Sequence, residues 1–476
     1  MKNRESYLVS LILVVIGIAA LTWWQVKDPT HEFTQSLPGM DHRGKGLDSA
    51  EMQVNIGSDF EKFAEKSNSL TETWPRFRGA GLDNISRSPV KLIDQFGPDG
   101  PGIRWSVDLG EGHAGAAIYA GVVYLLDYDE ETRTDMLRSF DLLSGQELWR
   151  RWYRVNVKRN HGMSRTVPAV TDSYVLTIGP RGHVMCVRRT DGAFLWGIDI
   201  EKEYHSEIPL WYTGQCPMID GDRAIIATGG DALLVAVDCE TGEILWKTPN
   251  PAGWKMSHSS VMKWDYEGRQ MYVYSAFGGV AGIAADGEDA GTILWQTEAW
   301  NHQVVAPSPV CMPDGQVFLT AGYGAGSMML RVNREGDRYT VKVTKEYPPK
   351  DGLACEQQTP LYYEGHLFGI EPKDAGALRN QLICVHPDDV NKVLWSSGQT
   401  VRFGLGPYMI ADNKLFILND EGVLTIARPS VKGYIQLDQD TIIHGQDAWA
   451  PLALADGYMV LRDSKKMVCL DLRKRN

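Results

Sequence analysis

An all-β fold is predicted: an eight-bladed propeller of four-stranded antiparallel blades, closed by an N-terminal strand and preceded by a transmembrane helix. Three observations carry it. One segment ending recurs about every fifty residues, each unit reads as four short strands, and the pieces left over at the two ends of the series fit each other. A regular period of that length is the signature of a propeller or solenoid.

The recurring ending is explicit: FDLLSGQELW to Trp149, RRTDGAFLW to Trp196, VDCETGEILW to Trp246, DGEDAGTILW to Trp295 and HPDDVNKVLW to Trp395. The gaps are 47, 50, 49 and 100 residues, so one tryptophan is missing, placed near Tyr347, and Trp105 lies 44 before Trp149 in the same series. Within 213–249 four apolar or alternating runs are separated by Gly-Asp, Gly-Gly and Thr-Gly turns, the pattern of four antiparallel strands. Such sheets arranged radially leave only short, protected edges. Units begin near 115, 167, 213, 259, 307, 358, 406 and 448. The eighth ends after VCLDLRK with no fourth strand, whereas 103–109 is a fourth strand with no blade before it, so 103–109 completes the last blade. The repeated tryptophans (Trp105, Trp149, Trp196, Trp246, Trp295 and Trp395) are expected to pack between neighbouring sheets, each burying about 150–250 Å².

The remaining elements follow in chain order. Residues 1–6 carry Lys2 and Arg4 and form a cytoplasmic stub; 7–24 are eighteen uncharged residues ending in Trp23-Trp24. As a helix they span roughly 27 Å, near the thickness of a bilayer core, with an aromatic pair at the interface. They are read as an uncleaved anchor, with everything after residue 25 outside the cytoplasm. Residues 25–70 form a linker in which Ser58-Asp59, Phe60, Phe63 and Ala64 start one short helix, and 71–476 form the propeller.

Composition limits function. Lys+Arg 48 against Asp+Glu 60 leaves a net charge of −12 with no clustered basic stretch, which argues against nucleic acid. The seven cysteines show no C-x-x-C, C-x-x-C-H or Cys-Cys spacing, and Cys186, Cys384 and Cys469 each sit mid-strand as small buried residues.

The D-x-x-T-G-x-x-L-W ending, clearest as Asp238, Thr241, Gly242, Leu245 and Trp246, resembles the repeat of the PQQ-like (pyrrolo-quinoline quinone binding-like) β-propellers of the quinoprotein alcohol dehydrogenase-like superfamily. Trp74-Pro75-Arg76-Phe77-Arg78-Gly79 with Asn84-Ile85-Ser86 is similar to the lead-in of PQQ-binding-like repeat proteins. The resemblance covers about 72–476. It implies either a quinone- and calcium-dependent oxidoreductase or a non-catalytic BamB-like scaffold. The vicinal disulfide and haem motif of the former are missing from the chain, and no Glu, Asn and Asp set for calcium matches by motif.

The connection entering each innermost strand carries polar side chains: His113, His161 and Arg165, His205 and Gln215, His258, His302, Gln358, Arg402, and His444 with Asp447. In a propeller these connectors gather round one mouth of the channel, the usual place for a ligand. Among them Asp447, with His444, is the acid/base candidate; no metal site is expected. The chain is therefore read as a membrane-anchored extracytoplasmic scaffold that binds an envelope or membrane protein complex. The alternative is an oxidoreductase using PQQ and Ca2+ in the funnel. A third reading, a carbohydrate- or peptide-binding propeller, would use Trp211, Trp254, Trp300 and Trp449.

Overall fold

The computed structural model describes residues 2–26, 54–98, 100–445 and 447–474, and within the first segment the side chains of 11–24 and 26. It divides into two units, Met1–Gln53 and Val54–Asn476. In the first, Lys2–Val26 is one helix. Among the described residues no helix is long and apolar enough to cross a membrane.

The second unit is a ring of eight antiparallel sheets. In blade 1 the strands Ala117–Tyr119, Val122–Asp129, Thr134–Asp141 and Glu147–Arg154 run outwards from the axis, and the next six blades repeat this order. Blade 8 takes three strands from the end of the chain, Ala453–Ala455, Tyr458–Arg462 and Lys466–Asp471. Its outermost strand is Ile103–Asp108, paired to Lys466–Asp471. The ends of the chain thus close the ring. The second and third strands of each blade are almost wholly buried, because both faces pack against neighbouring blades.

Blade 1 has two further strands. Thr73–Trp74 adds to its innermost strand and Asp59–Lys62 to its outermost, where Phe60 lies over Arg151 and Phe63 over Arg150. The short helix expected from Ser58-Asp59 to Ala64 is therefore a strand. The spacing of Phe60 and Phe63 suits one helical face, but the outermost strand of blade 1 presents unpaired backbone groups that a four-residue strand covers.

The tryptophan series is a register position. In blades 1, 2, 3, 4, 6 and 8 the tryptophan pairs with Ser139, Cys186, Ala236, Gly282, Cys384 and Cys469, beside a one-residue bulge in each ladder. Three of the indoles bond to the next blade: Trp105 Nε1 donates to Leu142 O at 2.9 Å, Trp196 Nε1 to Cys239 O at 2.9 Å and Trp395 Nε1 to Ser430 O at 3.0 Å. Gly145, Gly192, Gly242 and Gly291 lie against the rings of Trp105, Trp149, Trp196 and Trp246. At Gly242, with φ +78°, a Cβ would stand 2.8 Å from the Trp196 ring, so both the turn and the approach need glycine.

The position of the missing tryptophan is Lys345, two residues before Tyr347. Blade 5 pairs Lys345 with Met329 beside its bulge, and Lys345 Nζ donates to Asp388 O of blade 6, as the indoles of Trp105, Trp196 and Trp395 do in their blades. The facing turn in blade 6 is shortened, pairing His386 with Asp389, and has no glycine to accept an indole face. A lysine reaches the same carbonyl without needing that flat surface. In blade 7 the position is Asp438, whose carboxylate accepts from Phe96 N at 2.7 Å.

Candidate functional site

The lead-in segment crosses the channel. Trp74 pairs with blade 1, Pro75 O accepts from Val170 N of blade 2, and Arg76 Nη1 donates to Ile219 O of blade 3. Arg78 then donates from Nη1 to Thr359 O and from Nη2 to Pro360 O of blade 6. Asn84 and Ser86 bond to Tyr408 and Ile410 of blade 7. A chain that touches blades 1, 2, 3, 6 and 7 in thirteen residues passes over the axis. Phe77, midway, lines a cavity of about 410 Å³ whose walls are connectors entering the inner strands together with Tyr323 and Lys373 from loops between second and third strands.

Below the rim, backbone N–H groups bond round the ring from blade to blade. Val167 N donates to Cys216 Sγ, Cys216 N to Ser260 Oγ, Ser260 N to Ser308 Oγ and Ser308 N to Thr359 Oγ1. These short side chains leave the channel open while meeting the polar needs of its wall. The Cys216 thiol, pushed up to about 11 by burial, is an acceptor here and not a nucleophile.

Of the residues expected at the mouth, His113, His161, Arg165, His258 and Gln358 line this cup. The others turn away. His205, with φ +51°, pairs with Asp231 at 2.8 Å on the surface. Gln215 points into its blade and bonds Ala227 O. His302 packs edge-on against buried Trp300, and Arg402 caps the carbonyls of Gln399 and Arg379. His444 and Asp447 are exposed and are not among the residues that line the cup. Trp211 and Trp449 line the cup, whereas Trp254 is buried under Gly278 and Gly279. Phe77, Ser260, Tyr323 and Lys373 line it too, and no spacing in the sequence marks them.

Arg165 organises one side. Its Nε donates to Trp211 O at 2.6 Å, and its Nη2 to Asn160 O at 2.9 Å and His161 O at 2.7 Å, so one guanidinium fixes the connectors of blades 2 and 3. Burial lowers it to about 10, and the groups that oppose this are tyrosines, Tyr323 and Tyr212, not carboxylates. His113, whose Nε2 donates to His161 O at 3.1 Å, is held down to about 3 by burial and by the Arg165 and Arg462 charges. His258 is held to about 4 by burial and Arg165. Both imidazoles are therefore neutral at pH 7. Across the cup, burial raises the Glu356 carboxyl, opposed by Lys373 and by a hydrogen bond with Tyr323.

The rim is aromatic and strained. Trp211 lies 5.7 Å from Tyr323 and 6.3 Å from His258, and Trp449 lies 4.6 Å from His113. His161, Trp211, Tyr212 and Tyr323 all have positive φ, from +51° to +71°. Left-handed backbone at non-glycine residues is costly and collects where a surface is shaped for binding.

Behind the wall, Glu371 accepts from Ala354 N, its Oε1 is unpartnered, and burial pushes it up to about 8. Its folded value lies above its unfolded one, so its contribution to stability is complete below about pH 4 and is lost as pH rises through 8. Glu371→Gln is expected to raise Tm by a few degrees at pH 8.5 and to leave it nearly unchanged at pH 5. Equal shifts at both pH values in a thermal melt would refute the neutral carboxyl.

A family model described as "Outer membrane protein assembly factor BamB" matches residues 98–208 and 133–396, more than half of the chain. The chain belongs to that family. Its fold is similar to that of BamB from Moraxella catarrhalis, at 11% identity and TM-score 0.51, over 79% of this chain and 98% of that one. It is similar also to that of the computationally designed Ika8 protein at 14% and 0.51 (78% and 99%) and to that of a europium-containing methanol dehydrogenase at 12% and 0.51 (82% and 89%). At these identities the likeness is one of fold. No curated protein matches the sequence. The BamB family and the dehydrogenases share the propeller, so the fold alone does not decide between scaffold and oxidoreductase.

Proposed function

We propose that this BamB-family propeller is a binding and assembly module held at the outer face of the cytoplasmic membrane, with its cup as the recognition surface. The observation that supports it most is the make-up of the cup: a cavity bounded by aromatic rings, with Arg165 and Lys373 as cations and Glu356 as its one carboxylate. Such a surface is suited to hold a partner group, and the Cys216 thiol and Ser260 hydroxyl in its lining accept backbone N–H groups of the neighbouring blades. Tethering rests on the uncharged stretch 7–24 and its terminal tryptophans. A place in an envelope complex is consistent with the name that the matching family carries.

The oxidoreductase reading requires calcium and PQQ. Among the described residues no three His, Cys, Asp or Glu side chains come together to hold a metal ion, and two cations line the cup. That donor set does not fit a calcium ion, which takes six to eight oxygens with carboxylates prominent.

The test is affinity purification of the full chain from membranes in mild detergent, beside a variant lacking 2–26 and a Trp211→Ala/Trp449→Ala double variant. A near-stoichiometric companion held by the full chain, released by the double variant and accompanied by loss of membrane association in the truncated form is the expected result. Purification of the chain alone, with quinone absorbance, would replace this reading by the oxidoreductase.

A further inference from the structure

Arg165 is a recessed cation whose described bonds all run to backbone carbonyls. Nε and Nη2 are committed to Trp211, Asn160, His161 and Gly162, while Nη1 has no acceptor among the described residues. The histidines beside it are neutral for the reasons above, and Glu111, which accepts from Gly162 N, is paired with Arg159, so among the described lining residues none on that side supplies a negative charge. A charge withdrawn from water without a counter-ion is costly, and here the connectors of blades 2 and 3 hold it in place. The opposite side is different in kind: Glu356, Gln357 and Lys373 present a mixture of acceptors and donors. Between the two stand the rings of Trp211, Tyr323 and Trp449.

These three zones specify a ligand with one anionic group, a face of C–H bonds and several hydroxyls. We infer that the cup binds an acidic sugar, a uronic acid or the uronate end of an oligosaccharide, with its carboxylate on Arg165, its ring against Trp211 or Trp449 and its hydroxyls on Glu356, Gln357 and Lys373. The volume of about 410 Å³ lies within the usual range for small-molecule sites. An inorganic anion would leave the aromatic walls unused, and a neutral sugar would leave Arg165 without its counter-ion. With Nε and Nη2 held by carbonyls, Nη1 is the donor left for the carboxylate, in a charge-assisted hydrogen bond that an ammonium, lacking the fork that fixes the connectors, would not be held in place to make. The inference rests on the reading of the cup as a binding surface and adds the chemistry of what it binds.

The experiment is isothermal titration of the full chain in detergent with galacturonate, glucuronate, glucose, inorganic phosphate and PQQ, backed by thermal shift. A uronate is expected to bind at least tenfold more tightly than glucose or phosphate. Arg165→Lys should lose about tenfold of that preference and Arg165→Met all of it, while Trp211→Ala should weaken the uronate without restoring glucose. Because Arg165→Met also frees four carbonyls, Lys373→Met, at an exposed position, serves as the variant that folds regardless, and it should weaken the uronate severalfold. Equal affinity for glucose and uronate, phosphate binding as tightly as uronate, PQQ alone binding, or no binding by any probe would each overturn the assignment. If the uronates fail while the Trp211→Ala/Trp449→Ala variant still releases the companion in the purification above, the binding module stands and only the ligand class falls.

Discussion

Trp105→Ala is expected to lower the stability of the propeller by about 3–5 kcal/mol, the range for truncating a buried aromatic residue, and to open the ring. Trp105 is the single fully buried residue of its strand, whose other positions are exposed or half-buried. Its indole donates to Leu142 O of blade 1 and its ring packs against Gly145, so one side chain both seats the strand on blade 8 and docks blade 8 on blade 1. Without it the Lys466–Asp471 strand becomes an open edge able to pair with another chain. Trp395→Ala is the comparison. That indole is only half-buried and lies within a blade whose strands are consecutive in the chain, so its loss should cost about half as much by the same area argument. Urea unfolding and size-exclusion chromatography test this. A lower midpoint with new dimers or larger species is expected for Trp105→Ala, and a lower midpoint without them for Trp395→Ala. Identical behaviour of the two variants would mean that ring closure depends on the backbone pairing and not on this docking contact.

The repeat made most of the fold legible, because a propeller is built from local units and each unit writes its turns and its docking tryptophan into the sequence. Closure by 103–109 could be read for the same reason: an unmatched fourth strand and an unmatched trio admit one pairing. What the period could not show was anything that departs from it. Lys345 and Asp438 occupy docking positions without resembling tryptophan, and only the ladder register reveals them. The strand at Asp59–Lys62 forms because a distant edge needs covering, which no local pattern records. At the candidate site, position along the connectors was legible and side-chain direction was not. His161 and His205 stand in neighbouring connectors with the same left-handed backbone, yet His161 lines the cup and His205 pairs with Asp231 on the surface. Phe77 was visible only as part of a lead-in motif, since its place in the lining of the cup depends on bonds to five separate blades.

Those bonds set the second large expectation. Arg78 is 4% exposed and donates to Leu82 O at 2.8 Å, Thr359 O at 2.9 Å and Pro360 O at 3.2 Å, so one guanidinium joins the crossing segment to blade 6. Burial lowers it to about 10, opposed by Tyr408 and Asp83, and its worth lies in the carbonyls it satisfies. Arg78→Met keeps much of the stem volume and leaves three carbonyls without their donor, each costing roughly 1–3 kcal/mol when buried. Water entering the loosened segment offsets part of that, and a net loss of about 3–5 kcal/mol is expected, of the size seen when one partner of a buried polar network is removed. Arg78→Lys should fall between wild type and methionine, because an ammonium lacks the fork that reaches Thr359 and Pro360 together. Arg87→Met, which removes an exposed pair with Asp83 from the same segment, should cost under about 1 kcal/mol. Hydrogen exchange gives the site-resolved test: Arg78→Met should speed exchange at Leu361–Tyr363 and around Phe77 before it affects the outer strands. If exchange there is unchanged, the lining around Phe77 is held by the pairing of Thr73–Trp74 with blade 1, and the acidic-sugar site would keep its shape without Arg78.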